Sequence, residues 1–261
     1  MTIRTIRESK GSKKLVMLTA YDAITAAFAA AGGADIILVG DSLANTALGL
    51  PDTLGIGLAS MLEKTAAVKR AAGTVPVVCD MPFLSYGTSR AASLRNCGLA
   101  IKQAGACAVK LEGGAWLAPL VRRLVRIGIP VMGHVGLQPQ HVHEYGGMFV
   151  RGRETAEAES IVRDAHVLQE AGVFSLVVEC VPAALGKRLT DELSIPVIGI
   201  GAGPATDGQV QVISDLLGLK EGKVPKHATA FADLFTIARD AVGEYARRVR
   251  EGSFPGPDNS F

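Results

Sequence analysis

"IILVGDSLA" (Ile36–Ala44) runs five residues without a charge, Ile36 to Gly40, and then reaches Asp41 and Ser42. Too short for a buried helix and rich in β-branched residues, it reads as a strand covered on both faces. Strands of that kind belong to parallel sheets with helices packed on them. The carboxylate at its end is the informative part, because an ion is costly to bury unless something pairs with it or coordinates to it.

The same unit recurs along the chain. "LVMLTA" (15–20), "DIILVGD" (35–41), "VPVVCD" (75–80), "CAVKLE" (107–112), "IPVMGH" (129–134), "SLVVEC" (175–180) and "IPVIGIG" (195–201) are strand candidates, with "GKVPKHA" (222–228) as a weaker eighth. Between them lie Ala-rich helical stretches such as "AITAAFAAAG" (23–32) and "LASMLEKTAAVKRAAG" (58–73), several ending in Gly as helix C-termini do. Eight such units with no Pro/Ser-rich linker favour one α/β domain over residues 1–261, a closed (β/α)8 barrel, with a doubly wound open sheet as the alternative. A barrel of this kind fills about 250 residues. A helix predicted over "FADLFTIARDAVGEYARRVREG" (231–252) carries Phe231, Leu234, Phe235, Ala238, Val242, Tyr245 and Val249 at helical spacing, as for core packing or a subunit contact.

Composition narrows the function classes. The 27 basic and 25 acidic residues leave a net charge of +2, which calls for neither nucleic acid nor a membrane surface. Cys79, Cys97, Cys107 and Cys180 show no C-x-x-C spacing, and three of them sit in or beside strand-like runs. With a polar, basic N-terminus and no apolar stretch of spanning length, this reads as a cytoplasmic protein.

Polar groups gather at one end of the strand candidates. Asp41 and Ser42, Asp80, Lys110 and Glu112, His134 and Glu179 lie at or near strand C-termini, whereas Pro76, Pro130 and Pro196 mark strand beginnings. In a barrel those C-terminal ends share one mouth, where the catalytic residues of this fold lie. Singly, each has a structural explanation: an Asp as a helix cap, Lys110 in an ion pair, His134 as a satisfied core residue. Together they describe an active site. Two Asp side chains from adjacent strands with a Glu nearby form a hard oxygen site of the kind Mg2+ takes, and the single strand-end His suits zinc less well. A 2-oxo acid bound there becomes acidic at the carbon next to its carbonyl, Glu179 is placed to remove that proton, and Lys110 to balance the developing charge.

Two further segments have motif-like character. "GIGAGPATDG" (199–208) has Pro204 where a dinucleotide loop needs Gly, and reads instead as a strand-to-helix turn with Thr206 or Asp207 as cap. "HVHEYGGMFVRGR" (141–153) is long for a barrel loop and reads as a lid; its His141 and His143 suit a solvated loop better than a metal.

The segments "TAYD", "LVGDSL", "DMPFLSYG", "VKLEGG", "GHVGLQPQ", "VVECVP", "IGIGAGPATDGQV" and "VPKH" occur in the order seen in the ketopantoate hydroxymethyltransferase family, which the chain resembles from about residue 12 to "GSFPG" near its end. The resemblance implies a barrel of the phosphoenolpyruvate mutase/isocitrate lyase kind. It implies transfer of a one-carbon unit from 5,10-methylenetetrahydrofolate to 3-methyl-2-oxobutanoate, giving 2-dehydropantoate for pantothenate and coenzyme A synthesis. It assigns Mg2+ to Asp41 and Asp80, with Glu112 on a metal-bound water. The 2-oxo acid falls among Asp41, Ser42, Asp80, Lys110 and His134, Glu179 is the base, and the assembly is a homo-oligomer, commonly a decamer. The chain departs from the family at Ala44-Asn45, Lys64, the 141–153 loop and residues 225–229, none of them a proposed ligand or base. A paralogue acting on another 2-oxo acid and a carbon–carbon lyase of the same superfamily are the alternatives. The K-K-C-G-H loop typical of such lyases is absent.

Overall fold

In the computed structural model, which describes all 261 residues, eight parallel strands pair in sequence order and the last returns to the first. After a short helix α1 (Ile3–Glu8), the chain runs β1 (Leu15–Thr19), α2 (Ala23–Ala31), β2 (Ile36–Val39), α3 (Leu43–Thr46), α4 (Leu58–Ala71), β3 (Val77–Asp80) and α5 (Arg90–Lys102). It continues as β4 (Ala108–Glu112), α6 (Ala118–Arg126), β5 (Val131–Gly136), α7 (Val142–Tyr145), α8 (Thr155–Ala171), β6 (Ser175–Glu179), α9 (Ala183–Glu192), β7 (Val197–Ile200) and β8 (Gly208–Gln211). A short α10 (Ile213–Leu216) and a long α11 (Leu234–Arg250) follow. The fold expected from the sequence, a closed (β/α)8 barrel, is the one observed.

Local chemistry sets the element ends. Asp22 and Thr25 form a reciprocal capping box at the start of α2, and Ser89 caps α5. Gly172 ends α8 in the left-handed conformation that a residue with a side chain resists. Strands β2, β3 and β4 are buried at every position, as their continuous apolar runs require.

The apolar residues divide into two layers. Leu15, Met17, Ile36, Val78, Met132, Val177 and Ile198 fill the barrel interior together with Ile6 of α1, so α1 closes the end where the strands begin. Val109, Leu111, Val131, Leu176 and Val178 face outward against Val121 and Leu124 of α6 and Leu168 of α8. Enclosing such side chains is worth about 1.5–3 kcal/mol each.

The closing strand is not the expected one. Residues 222–228 form no strand; β8 is "GQVQ", and "GIGAGPATDG" links β7 to β8 instead of opening a helix. Asp207 accordingly caps no helix. Its carboxylate accepts from the backbone N–H of Val197 (2.9 Å) and from Lys10 Nζ (2.7 Å), while its carbonyl accepts from Leu15 N (2.9 Å), tying β7, β1 and the N-terminal segment together. Thr206 Oγ1 donates to Gly208 O at 2.8 Å and is likewise a turn residue. Gly208 pairs with Leu15 in register, and a Cβ there would lie 2.5 Å from Leu15 O.

Residues 1–213 form one compact unit and residues 214–261 a second. In the second, Asp233 caps α11, and Tyr245 meets Phe254 edge-on with ring centroids 5.4 Å apart. None of the side chains of α11 is buried, so its apolar residues belong to no core of this chain.

Candidate active site

Strand register assembles the site. Asp80 pairs with Lys110, Glu112 with His134, and Gly136 with Glu179, so residues two apart on one strand meet successive neighbours around the barrel wall. Asp41, Asp80, Lys110, Glu112 and His134 are all buried, and Glu179 nearly so. One carboxylate oxygen each from Asp41, Asp80 and Glu112 lie within 4.8 Å of one another.

Hydrogen bonds fix these groups. Lys110 Nζ donates to both oxygens of Asp80, at 2.7 and 2.8 Å, and lies 3.4 Å from Glu112 Oε1. His134 stands between two carboxylates, with Nδ1 3.4 Å from Glu112 Oε1 and Nε2 3.3 Å from Glu179 Oε2. The backbone N–H of Asp41 donates to Asp80 Oδ2 (3.2 Å). Ser42 Oγ is 2.9 Å from the hydroxyl of Tyr21, which accepts from Thr19 Oγ1 at 3.0 Å. Asp41 and Asp80 cap no helix; the helix that follows Asp41 starts without a side-chain cap.

Sequence reasoning passed over the residue that joins this set. Gln140, buried in the turn after β5, donates through Nε2 to Asp41 Oδ2 (2.9 Å) and to Met81 O (3.0 Å). Its backbone N–H donates to Glu112 Oε2 at 3.1 Å, and its Oε1 accepts from the Tyr86 hydroxyl at 2.8 Å. Gln140, Tyr86 and Tyr21 carry no charge and lie in turns, so strand-end reasoning misses them; their signal is membership of the segments "GHVGLQPQ", "DMPFLSYG" and "TAYD".

The electrostatics describe a site short of positive charge. Burial pushes the Asp41 carboxyl well above the usual range, and the neighbouring Asp80 and Glu112 push it further. Asp80 is raised by burial even though Lys110 opposes that shift. Glu112 goes the other way: burial works against its charge, but Lys110 and His134 outweigh it and hold the group at about 2. For Lys110, burial alone disfavours the ammonium, and Asp80, Glu112 and Asp41 more than restore it. His134 is lowered by burial and by Lys110, yet the flanking carboxylates of Glu112 and Glu179 lift it to about 9. Three converging buried carboxylates whose ionisation burial opposes suit a small divalent cation with oxygen ligands, so these residues fit the Mg2+ that the sequence implies.

Glu179 is followed by a strained turn. Cys180 has φ 47°, in the left-handed region, with its N–H on Ile200 O and its carbonyl accepting from Arg151 N, both at 2.8 Å. Left-handed backbone in a residue with a side chain costs about 1–2 kcal/mol and concentrates at functional sites. Gly136, opposite Glu179, has φ +91°, and a Cβ there would lie 2.4 Å from Glu179 O.

The 141–153 segment folds into α7 and a loop. His141 Nδ1 is 2.7 Å from Glu144 Oε2, and exposed His143 stands apart from the carboxylate group, so the pair forms no metal site with it. Arg151 lies over the Tyr145 ring at 3.8 Å and pairs with Glu157 of α8.

The family model described as ketopantoate hydroxymethyltransferase matches residues 1–257. A 3-methyl-2-oxobutanoate hydroxymethyltransferase from Pseudothermotoga lettingae is 46% identical over 261 residues, covering 100% of this chain and 98% of that one. One from Nitratidesulfovibrio vulgaris is 49% identical, covering 100% and 85%. Among solved structures, a phosphonopyruvate hydrolase superposes with a TM-score of 0.65 at 15% identity, covering 100% of this chain and 92% of that one. A 2,3-dimethylmalate lyase of the PEP mutase/isocitrate lyase superfamily gives 0.63 at 16%, covering 99% and 86%; at such identities the likeness is one of fold. With a match along almost its whole length and near-half identity to these relatives, the chain belongs to the ketopantoate hydroxymethyltransferase family.

Proposed function

We propose that the chain transfers a one-carbon unit from 5,10-methylenetetrahydrofolate to 3-methyl-2-oxobutanoate, with water supplying the hydroxyl, to give 2-dehydropantoate and tetrahydrofolate. Family membership supports the reaction, and the buried Asp41–Asp80–Glu112 group beside Lys110 and Glu179 is the observation that carries its chemistry. These three carboxylates would hold Mg2+, which when bound supplies Lewis-acid polarisation of the 2-oxo oxygen. Lys110 and Ser42 orient the substrate, and the Lys110 ammonium, fixed by Asp80, offsets charge that develops on the 2-oxo acid. Water releases the donor's methylene carbon from both ring nitrogens as formaldehyde, leaving tetrahydrofolate. Glu179 takes the proton from C3, and that electron pair adds to the formaldehyde carbon, whose oxygen takes up a proton as the new hydroxyl. His134, against Glu179 Oε2, steadies that carboxylate before and after the transfer. The free cysteines suit a reducing compartment, and we read the cytoplasm as the place of action. No helix is long and apolar enough to cross a membrane. The exposed apolar residues of α11, Ile237, Val242, Tyr245 and Val249, support association between copies of the chain.

Exchange of the C3 hydrogen of 3-methyl-2-oxobutanoate in deuterated water, followed by NMR, tests the reading. We expect Mg2+-dependent exchange by the intact protein and a loss of about a hundredfold or more in Glu179→Gln. Exchange by Glu179→Gln at the unmodified rate removes Glu179 as the base, and no exchange with any 2-oxo acid removes the function.

A further inference from the structure

We infer that a cleft at the rim of the barrel, between the turn after β4 and α8, binds a flat heteroaromatic ring rich in N–H donors, the chemical class of the pterin end of the one-carbon donor. The inference rests on the donor reading above and adds where the ring sits.

The cleft has a volume of about 220 Å3 and lies against the outer side of the strand that carries His134. His134 is turned inward onto Glu112 and Glu179, while the next residue, Val135, and then Gly136 line the cleft. Gln138, also in its wall, donates to the His134 carbonyl at 3.3 Å. Cleft and catalytic groups therefore share one strand end. Whole drug-sized ligands need about 300–1,000 Å3, so this space suits one ring system with the rest of the molecule outside.

Its chemistry selects the kind of ring. Trp116, half exposed, forms an aromatic wall and is backed by Tyr86 with ring planes 5° apart and centroids at 6.5 Å. That same Tyr86 hydroxyl donates to Gln140, so the wall is built on the metal-site framework. Asp164 reaches in from α8 over Gly114, where any Cβ would lie 2.2–2.4 Å from its carboxylate atoms. Its Oδ1 accepts from Ala115 N at 2.7 Å, while its Oδ2 makes no hydrogen bond within the chain. The other two carboxylates already have partners, Glu157 with the Arg151 guanidinium and Glu144 with the His141 ring. The lining thus leaves one oriented acceptor and a surplus of negative charge. It disfavours a 2-oxo acid, a phosphate or the donor's glutamyl tail, and favours an uncharged ring that stacks and donates N–H groups to Asp164.

Trp116 is the one tryptophan of the chain, which makes the test direct. Its emission is followed, with inner-filter correction, as 5-formyltetrahydrofolate is added, and separately p-aminobenzoylglutamate, which carries the tail without the pterin. Calorimetry measures the same binding independently. We expect saturable quenching by 5-formyltetrahydrofolate, none by p-aminobenzoylglutamate, and a Kd raised tenfold or more in Asp164→Asn, whose folding is checked by circular dichroism. Calorimetric binding of 5-formyltetrahydrofolate with Trp116 emission unchanged and affinity unaltered in Asp164→Asn overturns the location while leaving the donor reading intact. Quenching by the tail alone overturns the choice of ring. No binding by calorimetry, alongside normal C3 exchange, overturns both the site and the donor.

Discussion

His134 occupies a position where three influences on one imidazole compete and pairing wins. Burial and the nearby Lys110 oppose its charge, but Glu112 and Glu179 on either side lift it to about 9. Because that value lies above the ordinary 6.5, folding favours the protonated ring. The stabilisation is complete below pH 6.5 and is lost as the pH rises through 9, at most about 3 kcal/mol. Asp41 and Asp80, held high by burial, act with the same sign, since their ionisation becomes a cost as the pH rises through their folded values. The metal-free protein is therefore expected to melt at progressively lower temperature from pH 6.5 to 9, with a smaller fall in His134→Gln; equal slopes by calorimetry would show that His134 carries no such contribution. At this scale the sequence is legible where a charged residue ends an apolar run, as Asp41, Asp80, Lys110, Glu112, His134 and Glu179 do. Gln140 escapes that reading because a neutral amide in a turn acquires its role only from what folding brings against it, here Asp41 and Glu112.

Among the elements, β8 is the instructive case. Its outward residue Gln209 is exposed and pairs with Val16 of β1, itself 47% exposed, so the two seam strands alternate where β2 to β5 and β7 are buried throughout. A pattern of continuous apolar runs finds β1 to β7 and passes over "GQVQ", choosing "GKVPKHA" in its place. What makes β8 a strand is tertiary: a bare Gly208 against Leu15 and the Asp207 bonds that hold its start. Gly208→Val places branched carbon within 2.5 Å of a backbone carbonyl at the closure and should destabilise the protein by about 2–4 kcal/mol, read as a lowered urea midpoint. A change under about 0.5 kcal/mol would mean that the β1–β8 contact yields freely. The helices followed their sequence signals more closely, as in α2, where Asp22 and Thr25 mark the start and Gly32 the end.

For the whole molecule, the deficit of positive charge in the mouth is a linkage term. A cation that binds the folded carboxylates and not the unfolded chain stabilises folding by about 2.7 kcal/mol at a hundredfold excess over its Kd. For a chain of 261 residues that corresponds to a rise in Tm of about 5–10 °C with Mg2+ at pH 8. The rise should shrink towards pH 5, where protons compete for Asp41 and Asp80, and disappear in Asp80→Ala; an equal rise in that variant would place the cation elsewhere.

The order of the strands adds a temporal meaning to the β1–β8 seam. Asp41, Asp80, Lys110, Glu112, His134 and Glu179 all belong to segments that leave the ribosome before Gly208 and Gln211 do. Until β8 arrives, β1 has an unpaired edge on the side that β8 will occupy, and the interior groups keep their access to water. The dehydration of the carboxylates thus waits for β8 and coincides with the longest-range pairing in the sheet. Pairing of strands this far apart in sequence is the kind that forms slowly, so a cation present in the surroundings is expected to enter the folding reaction at closure.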